Sequence, residues 1–360
     1  MKKNHMPILT EPIGSLPRPK ALIDGITAFA AGRLPQSEMN RLYDAVLIDT
    51  IKQFEATGSP VITDGEQTKP SFATYPIHGL KMLASEGVTI PFADGHTRRL
   101  PVITAGPFHY QTYADRYLEA AKRRTRLPVK QAVISASALS LLYPQAGIPG
   151  YSQEAFINDL LREHEIDIRR CLEKGAHVVQ TDFTEGRLAL KLDPSGGLLK
   201  QFIALNNRVL VRFSPEERRR IGVHICPGGD FDSTHSADVD YAGLLPHLFQ
   251  LNAGNFYLQL ANERDRARVP RIIKEQAQPY QRLFIGVTDP IDPRVETAEE
   301  VKSRTLEAAA VQPVDRLGTT DDCGFSPFGD DTSTPRETAF AKIRARIDGT
   351  RLAAQALGIA

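Results

Sequence analysis

The strongest constraint in this chain is a recurrence. Short, continuous apolar runs alternate with longer segments of helical spacing over almost its whole length. The runs are Pro60–Asp64, Pro101–Ala105, Val129–Ser135, His177–Phe183, Ile221–Cys226, Asn255–Leu260, Arg282–Val287 and Val314–Thr320. Most are apolar throughout, the pattern of parallel strands covered by helices on both faces. Gln36–Thr57, Ser152–Lys174, Asp238–Leu251 and Arg336–Leu357 carry apolar residues at helical spacing. Ser214-Pro215-Glu216-Glu217, Thr297-Ala298-Glu299-Glu300 and Thr334-Pro335-Arg336-Glu337 read as capping boxes that start helices. Strand–helix–strand units of this kind cross over right-handed. The pattern predicts the α/β class and a single (β/α)8 TIM barrel, one domain over residues 1–360. Pro101–Ala105 has a second reading, in a hairpin with Val88–Phe92 around Asp94-Gly95. The competing architecture is an open doubly wound sheet. No Gly-x-Gly-x-x-Gly or P-loop follows a strand, which counts against nucleotide binding on such a sheet.

Charge narrows the function classes. Lys and Arg number 44 against 43 Asp and Glu, a net charge of +1. That balance excludes binding to nucleic acid or membrane surfaces through gross charge. No apolar run approaches the roughly 20 residues of a membrane span. The start, Met1 to Pro7, is too polar for a signal peptide. Three cysteines in 360 residues do not make a disulfide framework. A cytoplasmic protein is expected.

In a barrel of this kind the active site lies at the C-terminal ends of the strands. Asp64-Gly65-Glu66 follows the first run, Asp182 ends the fourth, and His224-Ile225-Cys226 ends the fifth. Glu263 comes shortly after the sixth, and Asp321-Asp322-Cys323-Gly324 follows the last. His224 and Cys226 are two apart on a strand and project to the same side. Imidazole and thiolate are the ligands zinc prefers, and three protein ligands with an open position is the catalytic arrangement. The residues alone also permit two buried cysteines beside a hydrogen-bonded core histidine. Cys171, inside an apolar helix pattern, has only that second reading.

The His224-x-Cys226 pair with Cys323 in Asp-Cys-Gly resembles the zinc signature of the cobalamin-independent methionine synthase superfamily. Other segments fall in that family's order. Pro12-Ile13-Gly14-Ser15-Leu16-Pro17-Arg18 is similar to its Ile-Gly-Ser segment, Gly65-Glu66 to its Gly-Glu, and Gln180-Thr181-Asp182 to its strand-end Asp. The resemblance covers one barrel, equivalent to the catalytic half of the two-barrel enzyme. It implies a barrel of the methionine synthase II and uroporphyrinogen decarboxylase-like type. It also implies Zn2+ held by His224, Cys226 and Cys323, with Glu263 as the fourth ligand. The other reading of Glu263 is an exposed acid paired with Arg264 or Arg266. By the same resemblance Ile13, Gly14 and Ser15 receive the carboxylate of homocysteine, and Glu66 and Asp182 hold its amino group. Zinc keeps an incoming thiol as the thiolate, which is the nucleophile.

Departures from methionine synthase redirect the expected chemistry. The chain has no Trp, so the family's pterin-stacking residue is replaced at best by Tyr143. In Thr288-Asp289-Pro290-Ile291-Asp292-Pro293, Ile291 stands where the family has a proton-handling His. These segments, with Cys226-Pro227-Gly228-Gly229-Asp230, look more like epoxyalkane:coenzyme M transferase and its relatives. The resulting expectation is an S-alkyltransferase joining a small thiol to an epoxide or similar small alkyl electrophile. Methyl transfer from a methylated folate to homocysteine is the alternative. Asp182, His235 and Asp289 are the candidate catalytic groups. Arg18, Lys69 and Arg187 either meet a sulfonate or carboxylate or form ordinary ion pairs. No nucleic-acid or membrane partner is expected, and a homo-oligomer is left open. From other classes, a metal-free decarboxylase-like barrel and a zinc-storage protein remain to be weighed.

Overall fold

The computed structural model describes residues 7–360; the polar start read above as no signal peptide, Met1 to Met6, lies outside them. Along the chain come β1 (Leu9–Thr10), then an insert of short strands β2 (Leu83–Ala84), β3 (Thr89–Pro91), β4 (Thr97–Arg99) and β5 (Val102–Ile103). Next are β6 (Gln131–Ile134), β7 (Val179–Asp182) and β8 (Ile221–Ile225), the short pair β9 (Gly229–Asp230) and β10 (Ser233–Thr234), and finally β11 (Asn255–Leu258), β12 (Arg282–Thr288) and β13 (Leu317–Asp321). Seven of them form one parallel sheet in the order β1-β13-β12-β11-β8-β7-β6. The ring is completed by residues 62–65. Ile62 bridges Val129 in parallel beside β6. On the other side Leu16 N–H donates to Gly65 O at 3.0 Å and Thr63 Oγ1 to Gly14 O at 2.8 Å. The architecture is a TIM barrel.

Six of the eight predicted runs become barrel strands. Pro60–Asp64 occupies its expected place but supplies only the Ile62 bridge. Pro60 has no N–H, and Thr63 uses its side chain where a strand would use its backbone. Pro101–Ala105 is not a barrel strand. Val102–Ile103 pairs with Leu83–Ala84, while the Asp94-Gly95 turn joins Thr89–Pro91 to Thr97–Arg99. The missing strand is β1, a two-residue segment between Pro7 and Pro12 that is too short to show a period.

β6, β7, β8, β11 and β13 are buried along their lengths, as expected of strands covered on both faces. Helices cover the outer face. The long ones span Gln36–Ala56, Gln153–Glu173 and Arg336–Ala356, within a residue or two of the expected bounds; the Asp238–Leu251 pattern shortens to Tyr241–Leu248. Capping boxes form at Ser214/Glu217 and Thr297/Glu300. The third does not: Pro335 is the N-cap, and Thr334 Oγ1 donates instead to Pro290 O at 3.2 Å. Cys171 is fully buried in the core between helices and sheet. No helix among the described residues is long and apolar enough to cross a membrane.

The barrel interior carries charge that no run or motif announces. Glu11, just past β1, accepts from Tyr257 Oη at 2.6 Å and lies 3.1 Å from His177 Nε2 and 3.6 Å from Lys130 Nζ. Lys130 sits over the Tyr257 ring at 3.5 Å. Burial drives the Lys130 ammonium down to about 8 against the pull of Glu11. This layer, with the stacked Tyr257 and Phe284 rings at 4.6 Å, closes the barrel beneath the cavity described next.

Candidate active site

The C-terminal rim surrounds an open cavity with about 600 Å3 of empty space, the solvent at its mouth included. Ile13, Gly14, Ser15, Glu66, Asp182, His224, His235 and Cys323 all line it, from six separate segments of the chain. The ligand atoms of His224, Cys226 and Cys323 lie within 4.8 Å of one another. β8 delivers the first two, and the turn after β13 delivers the third. The two sulfurs are 2.9 Å apart, well beyond a disulfide bond of about 2.05 Å. Gly228 N–H donates to Cys226 Sγ at 3.4 Å.

His224 is oriented from behind. Its Nδ1 lies 3.2 Å from Asp182 Oδ1, which also accepts from Gln180 Nε2 at 2.7 Å. Its Nε2 is buried with no hydrogen-bond partner among the described residues. A carboxylate on one imidazole nitrogen, with the other turned to the cysteine sulfurs, is the arrangement of a metal-binding histidine. Burial pulls the imidazole down, yet Asp182 and the neighbouring Cys323 sulfur carry it up to about 9. The Cys323 thiol is pushed well up by its contact with Cys226 and by burial. A divalent cation would relieve both crowding and burial by taking the place of the protons. The donor set therefore fits Zn2+.

Beside the trio stands the segment predicted to hold a small thiol. Ser15 packs against Gly324, where a Cβ would come within 2.1 Å of Ser15 Oγ, so a larger residue would displace the hydroxyl. Glu66 adopts φ 55° after Gly65 at φ 66°, a left-handed pair unusual for a glutamate. Asp64 Oδ1 accepts from Glu66 N–H at 3.0 Å and holds the turn. Lys69 Nζ donates to Glu66 Oε1 at 2.8 Å and to Ala132 O at 2.9 Å. Burial raises the Glu66 carboxyl above its ordinary value despite Lys69. Among the described residues no protein group donates to Glu66 Oε2 or to Asp182 Oδ2.

Several predicted residues are placed elsewhere. Arg18 is a buried brace: its guanidinium donates to the carbonyls of Glu66 and Lys69, both at 2.7 Å. Lys69 is tied to Glu66 instead of facing an anion. Arg187 spans Gln259, Glu263 and the Ala237 and Val239 carbonyls. Glu263 Oε1 lies 2.9 Å from Arg187 Nη1 and is not grouped with the trio. The cause is the turn after β11, where Asp322 accepts from Leu260, Ala261 and Asn262 N–H at 2.8–2.9 Å and fixes its path. Tyr143 stacks on Phe156 and donates to Tyr151 O at 2.7 Å, away from the cavity wall. Asp289 does not line the cavity either; it accepts from Ile291 N–H at 3.0 Å. His235 does line it. Gly228, at φ 72°, allows the close approach, since a Cβ there would meet His235 Nε2 at 1.8 Å. Burial and two nearby cations lower His235 to about 4, so it is neutral at pH 7.

The aromatic part of the cavity lining has no signal in the sequence. Phe72, Ile90, Phe92, Pro327 and Phe328 make it apolar. Ile90 and Phe92 belong to the β3–β4 hairpin, which is latched over the rim. His96 Nε2 lies 3.0 Å from Asp230, and Arg98 bonds Asp230 at 3.0 Å and Asp330 at 2.9 Å. The Asp94-Gly95 turn announced a hairpin, but nothing local told which face of the barrel it would cover.

An α/β barrel with a His–Cys–Cys group on its strand-end rim defines a class of barrel enzyme with a candidate zinc centre. Residues 8–345 match the sequence model of the cobalamin-independent synthase catalytic domain, and the chain belongs to that family of enzymes. It is 21% identical over 355 residues to the methionine synthase of Sulfurisphaera tokodaii, covering 98% of this chain and 95% of that one. It is 20% identical over 359 residues to the methionine synthase of Saccharolobus solfataricus, covering 98% and 97%. The structure of a B12-independent methionine synthase from Shewanella sp. W3-18-1, in complex with selenomethionine, superposes with a TM-score of 0.74 at 18% identity, covering 98% of this chain and 99% of that one. At such identity the likeness establishes the shared fold.

Proposed function

We propose that this enzyme transfers a methyl group to the sulfur of a small aminothiol of the homocysteine type. The observation that carries the reading is the convergence of His224, Cys226 and Cys323 within 4.8 Å on a cavity that also holds Glu66 and Asp182. A zinc ion held by those three residues would supply the Lewis acidity that keeps an incoming thiol deprotonated near neutral pH. Asp182 fixes the His224 ring and, with Glu66, offers unshared carboxylate oxygens to an ammonium group. Gly14 and Ser15 offer backbone and hydroxyl donors to a carboxylate. Lys69 and Arg18 hold Glu66 and its turn rigid, so that little ordering remains when substrate arrives. The names of the relatives favour methyl transfer to homocysteine over thiol addition to an epoxide, which rested on likenesses of short segments. A decarboxylase without metal leaves the trio unexplained, and a storage site leaves the lined cavity unexplained.

The test uses homocysteine and methyl iodide, a methyl donor with no carrier to recognise. Zinc-loaded protein should form methionine faster than free solution at pH 7. Chelation should abolish the acceleration and added zinc should restore it. An unaccelerated rate with zinc present would overturn the reading.

A further inference from the structure

The cavity has two unlike ends, and the apolar end bears on the unidentified methyl donor. Phe72, Phe92 and Phe328 face the same space as the carboxylates of Glu66 and Asp182. Phe328 is held by the Arg98 guanidinium at 4.2 Å and by the edge of Phe72 at 5.4 Å; Phe92 is held by the His96 ring at 4.3 Å. Arg98 is the one Lys or Arg among the described residues lining the cavity, and Asp230 and Asp330 both claim it. No free cation therefore awaits an anionic donor. With an aminothiol bound, its ammonium and Lys69 offset Asp182 and Glu66, and the thiolate carries one negative charge beyond what a zinc ion on Cys226 and Cys323 balances, beside aromatic walls. That combination attracts cations.

The leaving group supplies the second constraint. A tertiary amine displaced from a methyl group must be protonated as it departs. Of the groups lining the cavity here, His235, 5.5 Å from Phe92, is uncharged at neutral pH and a poor acid, while His96, stacked on Phe92, is engaged by Asp94 and Asp230 and does not line the cavity. Asp289 lies outside the lining, and Ile291 has no proton to give. A donor already positively charged at the leaving atom needs no acid.

Resting on the methyltransferase reading above, we infer that the donor is a sulfonium compound, its charged methyl end held among Phe72, Phe92 and Phe328. The substrate thiolate attacks the methyl carbon. A new S–C bond forms from the thiolate pair, and the old S–C bond breaks with its pair going to the departing sulfur. The products are a neutral thioether and a neutral sulfide, and no proton moves.

Two measurements on the zinc-loaded protein with homocysteine test this. Tetramethylammonium, a cation that stays intact, should bind at least tenfold tighter than tert-butanol, a neutral molecule of similar size. Phe92→Leu should cut that preference by about tenfold with zinc content unchanged. Trimethylsulfonium should yield methionine and dimethyl sulfide one to one, faster than methyltetrahydrofolate yields methionine. Equal binding of cation and neutral, or a faster reaction with the folate, would overturn the inference. If methyl iodide is turned over while trimethylsulfonium is not, the donor assignment fails and the thiol site stands. If neither reacts, the methyltransferase reading itself fails.

Discussion

The two ends of the cavity are built by different means. The trio end is made of strand termini: His224 lies on β8, Asp182 ends β7, and Cys323 follows β13 by two residues. Backbone ladders with β7 and β11 fix where His224 sits, and Asp182 fixes how its ring turns. The aromatic end is made of an inserted hairpin and a loop held by side-chain ion pairs. The first is rigid because the barrel is rigid. The second is as firm as the contacts of Arg98 with Asp230 and Asp330.

The largest effect should come from breaking the trio. Cys226→Ser or Cys323→Ser should remove stoichiometric zinc and cut methyl transfer by more than about 1,000-fold, since both the metal and the thiolate depend on it. Metal analysis beside the rate decides; full zinc in both variants would refute the site. Asp182→Asn keeps shape but takes the carboxylate from His224. Zinc affinity should fall by about 10–100-fold, read by competition with a chelator. Unchanged affinity would mean that Asp182 serves the substrate alone.

Arg98→Met sharpens the contrast from the other side. Asp230, fully buried, would keep only His96, at a local cost of about 1–3 kcal/mol. Amide exchange across residues 89–99 should accelerate while zinc content stays the same. Loss of zinc would show that the two ends are not independent. The smallest effect is expected from Thr297→Ala, which removes the capping box on the helix Ala298–Ala309. It should cost about 1 kcal/mol in a denaturation midpoint and leave both ends of the cavity untouched.

The same contrast explains what could be read from the sequence. Residues at strand ends are legible because a run of Val, Ile and Leu announces the strand and the next residue is then at the rim. His224, Cys226, Cys323, Asp182 and Glu66 were found that way, and the structure gathers them. The hairpin wall was not found, because Ile90 and Phe92 gain their meaning from Arg98 reaching Asp230, 132 residues away in sequence. The pairing of Glu263 with Arg187 is hidden from the sequence for a similar reason: the path after β11 is set by Asp322, a distant residue. The strand β1 escaped notice since two residues carry no period, and Glu11 escaped because its partners, Tyr257 and His177, come from remote strands.

The central claim is that the trio forms a zinc centre that takes a substrate sulfur directly. X-ray absorption at the zinc edge, on the metal-loaded protein with and without homocysteine, addresses it most directly. Two sulfur ligands and a histidine nitrogen are expected in the free protein, rising to three sulfurs when homocysteine is added. An unchanged sulfur count at saturating homocysteine would contradict it.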